Sequence, residues 1–210
     1  MIFENRTAAA RQLAMALKEY RNRHPLVLAI PRGAVPMAKI VADELGGELD
    51  VVLVHKIGAP GNPEFAVGSV DESGWIYLAD YAAEVGANHE YVQKEAERQL
   101  ETIRQRRMQY TPVRPPIDPA GRVVIVIDDG LATGSTMIAA LHALRTRKTA
   151  KLICAVPVAP PDTLDKVRDN ADRVICLSTP SNFGAVAQFY QDFPQITDAE
   201  VIATLATASG

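Results

Sequence analysis

The chain has 210 residues, 48% of them hydrophobic, with 22 Lys and Arg against 25 Asp and Glu for a formal net charge of −3. This length suits one α/β domain with elaborations, and the slightly acidic balance gives no global attraction to nucleic acid. No apolar run approaches the ~20 residues of a membrane span, and Met1-Ile2-Phe3-Glu4-Asn5-Arg6 lacks the basic-then-apolar order of a leader, so neither membrane nor secretion is expected.

In chain order, Asn5 can cap a helix over about 6–23, with Leu13, Leu17 and Tyr20 on one face. Leu26 to Ile30 is a short apolar run, as expected of a strand buried on both faces. The loop Pro31-Arg32-Gly33 follows. A helix over about 35–45 comes next and stops at Gly46-Gly47. Asp50 to Val54 is the next strand, and the β-α-β alternation implies a parallel sheet with right-handed crossovers. Residues 56–74, rich in Gly, Pro and Asn, read as a long loop of the kind that forms lids, with Ala66 to Val70 able to pair as a short strand. Trp75 to Leu78 is a strand, and 88–110 a long helix with Val92, Ala96, Leu100 and Ile103 on one stripe. Its other face carries Lys94, Arg98, Arg104, Arg106 and Arg107, read first as a solvated helix face, with contact to a partner or a substrate phosphate as the alternative. Pro112, Pro115, Pro116 and Pro119 break the chain before a strand over 122–127. A helix from Ser135 to about Arg147 follows. Then come a strand over 151–158, a helix over 161–169 and a strand over 173–177. Thr197-Asp198-Ala199-Glu200 is a capping box that opens a last helix. Cys154 and Cys176 lie in apolar strand-like runs with no CxxC or His cluster nearby, and read as reduced core residues of a cytoplasmic protein. His24, His55, His89 and His142 show no metal-ligand spacing.

The chemistry concentrates in residues 124–136, Val-Ile-Val-Ile-Asp-Asp-Gly-Leu-Ala-Thr-Gly-Ser-Thr. Four apolar residues make a buried strand, and two acids stand at its carboxyl end, where open α/β sheets bind ligands. The small and hydroxyl residues that follow present backbone N–H groups, with the hydroxyls of Thr133, Ser135 and Thr136, to an anion at the positive end of a helix. Carboxylates repel phosphate, so Asp128 and Asp129 must face another part of the ligand. Sugar hydroxyls, directly or through hydrated Mg²⁺, are the sensible partners. A P-loop would need Gly-Lys-Ser/Thr, and a Rossmann fingerprint three spaced glycines. This turn has only Gly130 and Gly134 and no lysine.

Ile127-Asp128-Asp129-Gly130-Leu131-Ala132-Thr133-Gly134-Ser135-Thr136 resembles the signature of the type I phosphoribosyltransferase family, in the version carried by its adenine-specific enzymes. Ile30-Pro31-Arg32-Gly33 resembles that family's pyrophosphate loop, and Val54-His55-Lys56 the strand end before its mobile loop. The resemblance covers about 26–60 and 120–180. It implies an α/β fold with a central parallel sheet flanked by helices, a mobile loop and a small hood. The whole of 1–210 then reads as a single domain, with a lid or insert at about 56–118 and a hood at about 178–210.

The implied activity is transfer of the phosphoribosyl group from phosphoribosyl pyrophosphate to a nitrogenous base or related acceptor, releasing pyrophosphate, in nucleotide metabolism such as purine salvage. Asp128 and Asp129 would hold the ribose hydroxyls. Ala132, Thr133, Gly134, Ser135 and Thr136 would bind the 5′-phosphate, and Arg32, Gly33 and Lys56 would face the pyrophosphate. Arg32 and the acid pair would be the catalytic groups. Mg²⁺ would be the cofactor, bound chiefly through substrate and water. A cis peptide between Pro31 and Arg32 and a homodimer are also expected. Phe183 is the first candidate to stack on the base; Phe189 and Tyr190 follow it. Glu64 is a candidate lid acid or base, against a plain solvated loop residue. The alternative to an enzyme is a non-catalytic phosphoribosyl-pyrophosphate-binding regulator, and phosphorolytic or hydrolytic action would use the same site. No acid stands at Ala132, where 6-oxopurine enzymes commonly carry one, which leaves adenine, other bases and small amines open.

Overall fold

The central strands of the main sheet are apolar because they are covered on both faces. In the computed structural model, which describes residues 1–208, β1 (Leu26–Ala29), β2 (Glu48–Val51), β6 (Val123–Ile127), β7 (Lys151–Val158) and β8 (Arg173–Ser178) form one sheet in the order β2-β1-β6-β7-β8. Every pair in it is parallel, with Val27 opposite Ile125 and Ile125 opposite Ile153. Alternate side chains go to opposite faces. Val27, Ala29, Ile125, Ile127 and Ile153 pack with helices α1 (Arg6–Ala16) and α2 (Val35–Leu45). Leu28, Val124, Val126, Leu152 and Cys154 pack with α4 (Ser135–Arg145) and α5 (Pro161–Arg168).

A second, antiparallel sheet stands beside this frame. It consists of β3 (Val54–Ala59), β4 (Asn62–Asp71) and β5 (Ile76–Leu78), and α3 (His89–Tyr110) packs on its first two strands. β4 lies against α4, where the Ser69 hydroxyl donates 2.6 Å to the Ser135 carbonyl. Helix α6 (Asp198–Ala206) is the last element described, and its capping box forms as expected, with Thr197 Oγ1 accepting from Glu200 N at 3.2 Å.

Four expectations are corrected. The first helix stops at Ala16, and Lys18–Tyr20 tightens into a 3₁₀ turn, which still buries Leu17 and Tyr20. The strand expected over Asp50–Val54 is two strands: β2 ends at Val51, and Val54 opens β3 in the other sheet. The fourth helix ends at Arg145 rather than Arg147. The largest change is at 56–74, which is the β3–β4 hairpin, with Lys56 opposite Ser69 and Ile57 opposite Gly68, rather than a long loop. Ile57, Val67 and Val70 are fully buried, so apolar burial outweighs the turn-forming bias of the neighbouring glycines and prolines.

Both cysteines carry free thiols, Cys154 buried and Cys176 half-buried. Among the described residues no helix is long and apolar enough to cross a membrane.

Candidate active site

The carboxyl ends of β1, β6 and β7 open into one cleft because the chain leaves each strand there in a short turn before a helix. Three adjoining cavities make up this cleft. The first, about 570 Å³, is lined by Asp128, the 130–134 turn, Thr136 and Pro160 together with Lys56, Glu64, Phe65 and Phe183. The second, about 330 Å³, is lined by Pro31, Arg32, Gly33, His55, Lys56, Arg106 and both acids. The third, about 310 Å³, lies behind Asp129 against Arg6 and residues 193–196. Asp128, Lys56 and Thr136 border the first two cavities, so Asp128 sits where they meet, while Asp129 lies between the second and the third.

The helices facing this cleft differ from the others in their N-termini. Helices α1, α3 and α6 are closed by the side chains of Asn5, Asn88 and Thr197. Helices α2, α4 and α5, which begin at the cleft, have no side-chain cap. At α4 the first turn leaves N–H groups for a ligand or water, whereas Val35 of α2 and Thr163 of α5 already donate to the carbonyls of Arg32 and Pro160, and Pro36 and Pro161 have no N–H. At α4 the N-cap is Gly134, with φ of 76°, a conformation that side chains with a Cβ disfavour. A Cβ there would also stand 2.8 Å from Thr163 Cγ2. Thr163 in turn donates 2.7 Å to the Ala132 carbonyl, tying the turn to α5. Ala132, Thr133, Gly134 and Thr136 all line the cleft. Ser135 departs from expectation: its side chain is buried, with Oγ 3.1 Å from Thr133 Oγ1, and its backbone N–H donates to Thr133 Oγ1 at 3.5 Å.

The two acids have different surroundings. Asp128 Oδ1 accepts from the Asp129 backbone N–H at 2.9 Å, and among the described residues nothing donates to its other oxygen. Burial, then the neighbouring Asp129 charge, hold the Asp128 carboxyl well above the ordinary value. Burial also raises Asp129, but Arg6 opposes it, donating to Asp129 Oδ2 from Nε at 2.9 Å and from Nη2 at 2.8 Å. Arg6 also lies 3.7 Å from the Phe193 ring centre and donates 2.6 Å to the Pro194 carbonyl. The Tyr190 hydroxyl donates 2.6 Å to the Asp129 carbonyl. Gly33 leaves the space that Asp129 occupies, since a Cβ on Gly33 would fall 2.1 Å from Asp129 Oδ2.

Arg32, Gly33 and Lys56 reach the cleft as expected, and the Pro31–Arg32 peptide is cis. Arg32 Nη1 donates 3.3 Å to Asp198 Oδ2, and Lys56 Nζ donates 2.8 Å to Glu64 Oε2 across the hairpin. Burial, then the Arg106 charge, push His55 down to about 4, so it is neutral at physiological pH. Phe183 lines the largest cavity and packs on Phe189, ring centres 5.0 Å apart.

Two contributors carry no signal in the sequence, and a third is there only one of a group. Arg6 sits on an ordinary amphipathic helix 123 residues before its partner Asp129. Asp198 read only as part of a capping box. Arg106 was one of five basic residues on a helix face, and nothing in their spacing singles it out.

The comparisons with known proteins agree with this geometry. The Phosphoribosyl transferase domain family matches residues 2–194. Two Mycobacterium tuberculosis proteins, from strains CDC 1551 / Oshkosh and H37Rv, provisionally named phosphoribosyl transferases, are each 38% identical over 209 residues, 99% of this chain and 47% of their own length. The chain thus spans about half the length of these curated relatives. The crystal structure of TT1426 from Thermus thermophilus superposes with a TM-score of 0.83 and 44% identity, covering 100% of both chains. The Giardia lamblia APRTase structure complexed with 9-deazaadenine, 15% identical, shares the fold with a TM-score of 0.50 over 84% of this chain and 80% of its own. A parallel sheet with an acid pair and an uncapped helix at the end of its central strand, matched over nearly the whole chain, places this protein in the phosphoribosyl transferase domain family, with the type I fold.

Proposed function

We propose that the chain binds 5-phosphoribosyl-1-pyrophosphate with Mg²⁺ and transfers its phosphoribosyl group to a nitrogenous base, releasing pyrophosphate. The observation that carries this reading is the division of one cleft. At one end an uncapped α4 N-terminus and neutral hydroxyls suit a phosphate monoester. At the other, Arg32, Lys56 and the Pro31–Gly33 backbone suit a pyrophosphate. The acids stand between the two, where the sugar of such a donor would lie. Breaking the bond between ribose C1 and the pyrophosphate oxygen leaves positive charge on the sugar and negative charge on the leaving group. Asp128 faces the first charge and the cationic end faces the second, so each is met by a group already in place.

Among the described residues no three His, Cys, Asp or Glu gather around a metal position. The donor set is the acid pair, with one oxygen of Asp128 unengaged. That set suits an ion held largely by the donor's own oxygens and water, with Asp128 as the protein contact. When bound, Mg²⁺ would offset the charge of the pyrophosphate.

The acceptor belongs in the largest cavity, between Phe65 on the hairpin and Phe183 on the hood. Its aromatic walls suit a flat ring. Ala132 is part of its lining, its only carboxylates are Asp128 and Glu64, and Glu64 is paired with Lys56. This composition favours adenine-like bases and small amines over 6-oxopurines.

Pyrophosphate release from the donor with Mg²⁺, measured against a panel of bases and amines, tests the proposal. Release that depends on one acceptor class is the expected result. Donor binding by calorimetry without release for any acceptor would instead identify a binding protein, and no donor binding would reject the reading.

A further inference from the structure

The basic face of α3 resolves into separate fates. Arg98 pairs with Glu95, and Arg104 lies 3.7 Å from Glu101, both on the exposed side of the same helix. Lys94 borders a separate depression with Tyr91 and Glu97. Arg107 turns the other way and is held by Glu72. Arg106 is the one of the five that lines the cleft, in the cavity bounded by Pro31, Arg32, Gly33, Lys56 and both acids. Its side chain is only 21% exposed, yet among the described residues it donates no hydrogen bond. Its nearest acid, Asp198, is 3.8 Å away. A guanidinium so withdrawn from bulk water ordinarily engages its donors. Here they are left unengaged at the wall of the cavity.

Asp198 explains how the group is kept there. It accepts from the Tyr110 hydroxyl at 2.7 Å and from Arg32 Nη1 at 3.3 Å. One carboxylate on α6 thus sits against Tyr110 and Arg106 of α3 and against the Pro31–Gly33 turn. It balances the charge of two arginines without consuming the donors of Arg106.

We propose that Arg106 is a pyrophosphate-binding and specificity-determining residue, holding the leaving group together with Arg32 and Lys56 and distinguishing a pyrophosphate donor from a sugar monophosphate. The assignment rests on the proposed donor. It follows from position: Arg106 borders the cationic cavity and not the one at the α4 N-terminus, so a ligand with no pyrophosphate would not reach it.

The test is calorimetry on the full chain with two probes, inorganic pyrophosphate with Mg²⁺ and ribose 5-phosphate. Wild type is expected to bind both. Arg106→Gln should weaken pyrophosphate by about 10- to 100-fold, the scale of one or two charge-assisted hydrogen bonds, and leave ribose 5-phosphate within about 2-fold. Arg106→Lys keeps the charge but loses the planar fork. It should give a smaller loss on pyrophosphate alone, and it serves if the glutamine variant does not fold. Unchanged pyrophosphate affinity in these variants, or equal losses for both probes, would overturn the assignment. Wild type binding neither probe would instead remove the donor reading, and this assignment with it.

Discussion

The two ends of the cleft are built in opposite ways. The α4 end is one contiguous stretch, Gly130 to Thr136, neutral apart from its neighbour Asp128, and shaped by backbone conformation. The Arg32 end gathers Arg6, Arg32, Lys56, Arg106, Asp129 and Asp198 from six segments and is held by ion pairs spanning up to 166 residues. A local turn can be preformed by its own sequence. A charged end must be braced, because like charges brought together without partners repel. Asp128 and Asp129, adjacent in sequence, fall on either side of this division: one keeps a free oxygen and the other is locked by Arg6.

Replacing Asp128 tests the free side and should have the largest effect. Asp128→Asn should lower transfer by about 100- to 1000-fold, the scale for losing a placed electrostatic stabiliser. It should also stabilise the unliganded protein by about 1 kcal/mol at neutral pH. The sign follows from the raised carboxyl. The folded state holds this proton more tightly than the unfolded chain does. Its contribution is therefore complete below the ordinary value of 3.8 and is lost as pH rises through the higher folded-state value. Melting temperatures against pH should show that decline in wild type and a flatter curve in the variant. A variant that melts lower than wild type at neutral pH would break the distinction between the acids.

Arg6→Ala tests the locked side. It leaves Asp129 largely buried and without its cation, since the pair's side chains are only 11% and 17% exposed. A loss of about 3 kcal/mol in urea unfolding is expected, as for breaking a largely buried ion pair. If the loss is below about 0.5 kcal/mol, a surface-pair value by order of magnitude, Arg6 does not brace this end.

Gly134→Ala tests the neutral end, with the smallest effect. The positive φ and the close approach of Thr163 should cost about 1–2 kcal/mol in stability. Because the turn's N–H groups would be displaced, ribose 5-phosphate binding should weaken as well. Unchanged binding would mean that the turn is not the anion site.

Much of this was legible in residues 124–136 and 26–33, because each stretch makes its structure locally. Four apolar residues can only be a covered strand here, two acids after it must sit at the strand end, and Thr-Gly-Ser-Thr must turn into a helix. The contrast is 54–118. Gly58, Gly61 and Pro63 read as loop, yet Ile57, Val67 and Val70 join a core with Val92, Ala96 and Ile103 of α3, and the chain makes a hairpin with a ten-residue strand, β4. That burial depends on helices remote in sequence, and local propensity carries no record of it. The same limit hid the braces of the charged end. From the sequence alone come the fold class, the acid pair and the anion turn, all products of short-range pattern. Only the tertiary structure decided that Arg6 takes Asp129, that Asp198 sits between two arginines, and that Arg106 alone of its helix face enters the cleft. Such pairings form between segments that the chain brings together only when the core has packed.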